Sequence, residues 1–236
     1  MRSLFIVLLQ LPSLLILTAC ASNSGMVDPS SVMTDTAEKS VAHQPSALPM
    51  PLRLAFMSGH VNAGITLYHA GEPEMASSHL LHPVSETHAD ERTELEEIGF
   101  SASIFESVAL ALEARKPNAL VLPLLERARE HMEMLKTKVG GDPTTIIRFL
   151  LETTIEEYSI GVQNGELTDL GEYQDAFGFA LTAAGYASRL PKASQNQLVE
   201  EVSSLQKIWL RGPLPVENPA SAEELSMAVS AILSQM

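Results

Sequence analysis

Beyond residue 50, apolar positions recur at intervals of three and four, and no stretch alternates apolar and polar for long. That period is helical. It predicts an all-α domain, a single bundle of about seven to eight helices. The first run covers residues 52–70 and stops at Gly71-Glu72-Pro73, with glycine as terminator and proline as first helical residue. A second run covers 74–97 and ends at Gly99, with Pro83 predicting a kink or break near His82. Ser101 to Arg115 forms a third helix, with Ser101 as its candidate cap, and 118–138 a fourth, stopped by Gly140-Gly141.

Asp142-Pro143 opens a fifth helix running to about Val162, with Ile147, Leu150, Leu151, Ile155 and Tyr158 as its apolar stripe. The sixth, 170–190, carries apolar residues on two faces: Phe177, Leu181 and Ala184 on one, Phe179, Ala183, Tyr186 and Leu190 on the other. A helix apolar on both sides belongs at the centre of a bundle. Ser194 to Leu210 forms a seventh helix. A proline-rich loop then leads to a closing helix over 222–235.

The first twenty residues follow a different pattern. Arg2 precedes an apolar stretch from Leu4 to Leu17, interrupted by Gln10, Pro12 and Ser13. It is too short for a membrane span and has the layout of a secretory signal. It ends in Leu17-Thr18-Ala19-Cys20, which resembles the lipobox of bacterial lipoproteins. The resemblance implies a signal peptide over 1–19 and cleavage before Cys20. It also implies a thioether lipid on Cys20 with acyl chains of the palmitate kind, which together anchor the chain to a membrane. Ala21, where an aspartate signals inner-membrane retention, implies the outer membrane of a Gram-negative cell, facing the periplasm. Residues 20–50 then read as the lipidated N-terminus and a disordered tether of Ser, Ala, Pro, Met and Asp. The domain is left with residues 51–236. Cys20 is the only cysteine, so the fold must stand on its core without an internal disulfide.

The formal charge of −14 argues against nucleic acid and anionic membrane surfaces as partners, and permits cations. Most of the 7 histidines are crowded together: His60, His69, His79, His82 and His88 fall within one short segment, beside several carboxylates. Imidazole and carboxylate are ligands for zinc, copper and iron. On a helix, His79, His82 and Glu86 share a face. If the first two helices run antiparallel about Glu72, His60 lies level with the His82/Glu86 pair, while His69 stays at the turn and His88 lies beyond. His60, His79, His82 and Glu86 are therefore the predicted metal set, with Gly59, Ala63 and Gly64 leaving room for close packing. The alternative for these histidines is ordinary surface exposure or backbone hydrogen bonding.

A second, weaker candidate is the carboxylate group Glu152, Glu156, Glu157, Glu172 and Asp175. Carboxylate-bridged metal pairs in bundles use Glu-x-x-His elements, and the chain has none. No Gly-x-Ser-x-Gly, phosphate loop or second cysteine points to a catalytic residue. An all-α exported protein with His60 on its first long helix resembles the imelysin-like iron-uptake proteins. Their Gly-x-His-x-x-Glu pattern is met here by His60 alone, with Ser58 and Ala63 at the other two positions. The resemblance brings iron alongside copper and zinc as the transition metal to consider.

Two functions remain from the sequence. One is a lipid-anchored, non-enzymatic binding or scaffolding protein with an envelope protein partner. The other is a metal-binding or metal-delivery lipoprotein using His60, His82 and Glu86.

Overall fold

The computed structural model describes residues 48–87 and 89–236, with the side chains of 89, 90 and 192–196 left aside. The signal peptide, Cys20 and the proposed tether up to residue 47 lie outside the described residues.

Helix α1 (Met50–His69) carries Pro51 in its first turn and buries residues on all sides, among them Leu54, Ala55, Met57, Val61, Ala63 and Leu67. It ends at Gly71, whose φ of 92° allows Glu72 N–H to reach Leu67 O and Gly71 N–H to reach Tyr68 O. These two bonds form a Schellman closure, which requires a residue such as glycine in the left-handed region. The chain reverses into α2 (Pro73–Ser85), and the contacts His60–His82 and Gly64–Leu80 show the two helices antiparallel.

The helix predicted over 74–97 is two helices. The break lies after Ser85, not at His82: α2 runs through Pro83, and α3 (Ala89–Glu97) begins beyond it. Pro83 falls in the last turn, so only the end of the hydrogen-bond ladder is lost. Thr87 Oγ1 donates to Pro83 O and Glu86 N–H to His82 O, which closes the terminus. Helix α4 (Ala102–Glu113) follows, then α5 (Asn118–Val139). Ser101 stands at the start of α4 but does not cap it with its side chain. Its hydroxyl meets Ser103, and its N–H donates to His131 Nε2.

Asp142 accepts from Thr145 N–H and caps α6 (Pro143–Gly161). Between α6 and α7 (Leu170–Ala187) the chain forms a small hairpin, β1 (Val162–Gln163) against β2 (Glu166–Leu167). The positive φ of Asn164 and Gly165 makes its turn of the type I′ kind. Asn-Gly was a visible hairpin signal, masked by the helical runs on either side.

Helix α7 is buried along nearly its whole length, from Tyr173 to Ala187, and packs on α1, α6 and α8 (Lys192–Leu205). Helix α8 stops five residues before the predicted Leu210. The chain tightens into a 3₁₀ turn over Gln206–Ile208, which turns Trp209 into the core among Tyr158, Tyr173 and Phe177. There its indole N–H donates to Tyr173 O at 3.2 Å, a bond a continuing helix does not provide. Helix α9 (Ala222–Leu233) closes the chain with a full capping box at Ser221 and Glu224. The architecture is all-α as expected, with nine helices among the described residues. None of these helices is long and apolar enough to cross a membrane.

Candidate metal centre

The centre lies where α1 crosses α7. A Cβ on Gly59 would stand 2.1 Å from the Phe179 ring, and one on Gly178 would stand 2.3 Å from Gly59 O. Only two glycines permit this approach. His60 follows Gly59, and Asp175 precedes Gly178 by one turn, so the crossing brings these two side chains together. His60 Nδ1 lies 2.6 Å from Asp175 Oδ1.

Helix α2 adds two more imidazoles. His79 Nδ1 is 2.8 Å from the same Asp175 oxygen, and His82 Nδ1 is 3.1 Å from His60 Nδ1 and 3.9 Å from Asp175 Oδ2. One ligand atom from each of His60, His79, His82 and Asp175 lies within 4.8 Å of the others. Tetrahedral ligands at bonds of about 2.0–2.1 Å stand about 3.4 Å apart, so a small rearrangement suffices to hold an ion. Phe56 and Phe179 pack edge-on against the His60 ring, at centroid distances of 4.7 and 5.2 Å.

The protonation pattern shows how the centre fits a cation. His79 Nε2–H donates to Gln174 Oε1 at 2.8 Å, while the Gln174 amide N–H faces Met75 Sδ. With its proton on Nε2, the ring turns the lone pair of Nδ1 toward Asp175 Oδ1. Two lone pairs at 2.8 Å repel unless a proton or a metal ion lies between them. The second His79 nitrogen thus fixes the tautomer needed for ligation, as outer-shell partners do at metal centres. Burial by itself would lower the His60 pKa, but the carboxylates of Asp175 and Glu86 more than offset it, raising it to about 10. Burial likewise opposes ionisation of Asp175, yet His60 and His79 hold it well below the usual carboxylate range. His82 is lowered, first by burial and then by the neighbouring charge of His60.

The structure places Glu86 just beyond this group, 3.3 Å from His60 Nε2 and 3.4 Å from His82 Nδ1. It is half-exposed and forms a bridge between the centre and an open cavity of about 490 Å³. His60, His82, Glu86, Arg53, Glu91 and the α6 residues Phe149, Glu152, Glu156 and Glu157 line this cavity. Burial of Glu86 would push its carboxyl up, but the imidazoles of His60 and His82 lower it on balance.

The predicted carboxylate group does not assemble. Asp175 turns to the histidines, Glu152 and Glu156 are exposed, and Glu157 interacts with Glu172. Burial and that neighbour raise Glu157 to about 9. Among the described residues, the group of His60, His79, His82 and Asp175 is the one close enough to share an ion. His69 is exposed at the turn, and the side chain of His88 lies outside the described residues. The sequence therefore missed the pairing of Asp175 with the histidines. Its visible signal was an ionisable residue, preceded by Gln174, within the otherwise apolar and small-residue run of α7.

Residues 143–236 match the iron permease-associated 4-helix bundle domain. That segment spans α6 to α9 and supplies Gln174, Asp175 and the α6 carboxylates, whereas the three histidines precede it. No curated protein and no solved structure matches the chain.

Proposed function

We propose that this protein binds a transition-metal ion through His60, His79, His82 and Asp175 and serves iron handling in the cell envelope. The observation that carries the reading is the convergence of three imidazoles and one carboxylate from α1, α2 and α7 on one buried point. Nitrogen and oxygen donors of this kind suit iron, zinc and copper. The likeness of residues 143–236 to a domain associated with iron permeases favours iron among them. The lipid at Cys20 would hold the domain at a membrane, where a cation is received or passed on. The side chains bind and release the ion. This chemistry is more specific than anything supporting the scaffolding function, so the metal reading takes precedence.

Metal content of untagged protein, with Fe²⁺ and Zn²⁺ titrations under anaerobic conditions, tests the reading. The expected result is one ion per chain, lost in His79→Ala and in Asp175→Asn. The reading fails if the wild type binds no ion, or if both variants retain full stoichiometry.

A further inference from the structure

The cavity beside the centre has a role distinct from ligation. His60 and His82 line it, whereas His79 and Asp175 do not. His60 is only 4% exposed, and its Nε2 pairs with the Glu86 carboxylate at 3.3 Å. The same ring thus meets the inner group through Nδ1 and, through Nε2, the Glu86 carboxylate at the edge of the cavity.

The cavity wall is negative. Arg53 contributes a positive charge, which Glu94 at 2.9 Å and Glu91 at 3.8 Å offset, and the protonated His60 contributes another, which Glu86 at 3.3 Å offsets. Glu157 is held largely protonated at neutral pH by burial and Glu172. Glu152 and Glu156 from α6 remain as exposed carboxylates lining the opening, beside Glu86 at the end of α2.

We infer that this cavity is a capture vestibule, in which a hydrated divalent cation docks on Glu86, Glu152 and Glu156 before passing between His60 and His82 to the buried centre. The inference rests on the metal-binding reading. Hydrated cations are attracted to a carboxylate-lined cleft because its walls focus the field, which raises association rates. Oxygen ligands suit that first encounter, and the nitrogen-rich centre suits the tighter second one.

Stopped-flow loading of the full-length lipid-free protein with Zn²⁺ tests it, comparing wild type with Glu152→Gln/Glu156→Gln. Both residues are exposed, so the double variant should fold normally. The association rate constant is expected to fall about tenfold and to lose most of its salt dependence, with one ion still bound at the end. A control, Glu200→Gln/Glu201→Gln on α8, removes the same charge away from the cavity and should load like the wild type. If wild type takes up Zn²⁺ but the vestibule variant loads at the same rate and with the same salt dependence, the vestibule is overturned and the metal centre stands. Equal slowing in the control reduces the effect to net charge and overturns the vestibule as well. If wild type takes up no Zn²⁺, the metal-binding reading itself falls.

Discussion

Gly178 packs against the Gly59 carbonyl where α1 crosses α7: a methyl group on Gly178 would stand 2.3 Å from Gly59 O, and one on Gly59 would run into the Phe179 ring. The same crossing brings His60 and Asp175 to 2.6 Å.

Gly178→Ala should therefore do more than destabilise the fold. The added carbon meets backbone at Gly59, which cannot yield as a flexible side chain can. Overpacking of this kind costs about 1–3 kcal/mol. The melting temperature should drop by several degrees. At temperatures where the variant is still folded, its affinity for Zn²⁺ should fall as well, because α1 and α7 are forced apart. Thermal unfolding monitored by circular dichroism, with a metal titration on the same samples, checks both effects. Unchanged affinity would show that the crossing does not position His60.

Metal binding should release protons. His60 is held protonated up to about pH 10 by Asp175 and Glu86, and the ion must take the place of that proton. Calorimetric titrations with Zn²⁺ at pH 7.5 should give an apparent enthalpy that varies with the ionisation heat of the buffer. The slope should correspond to about one proton released per ion. A zero slope contradicts this account.

Stability of the metal-free protein should decline with alkaline pH. His60 has a folded pKa raised from 6.5 to about 10. Its contribution is thus fully present below 6.5 and lost as pH rises through 10. Asp175 acts in the opposite sense: its folded pKa is depressed, so its contribution is present above the usual carboxylate value of 3.8 and lost as acid protonates it. Melting temperatures across pH 5–10 should fall on the alkaline side, and less steeply in His60→Gln. An equal slope in both proteins would place the pH dependence elsewhere.

Gln174 should act through His79 rather than on the ion. Gln174→Leu removes the acceptor at Nε2 and frees the ring to carry its proton on Nδ1 instead. Loss of such an outer partner typically costs 10–100-fold in affinity, so about tenfold weaker Zn²⁺ binding is expected with stoichiometry preserved. Gln174→Glu keeps an acceptor and should restore most of the affinity. A leucine variant that binds as tightly as wild type excludes the tautomer argument.

Much of this arrangement can be read along the chain because its causes are local. The period of apolar residues sets the helices, and Gly71-Glu72-Pro73 reverses α1 into α2. Once that reversal is known, counting outward places His60 level with His82 and Glu86, and the structure brings their ligand atoms within hydrogen-bonding range of one another. The helix break after Ser85 was less legible, since a proline in the last turn costs little and does not stop the helix where it stands.

The sequence by itself determined the all-helical class, the hairpin of α1 and α2 and the crowding of histidines on it, all of which follow from spacing within a few turns. The tertiary structure decided which carboxylate completes the group. Asp175 is separated from His60 by 115 positions, and nothing in its spacing to Glu157 or Glu172 distinguishes it from a solvated acid. Only the packing of two glycine-bearing helices, which is a matter of shape rather than period, removes it from water and turns it toward three imidazoles.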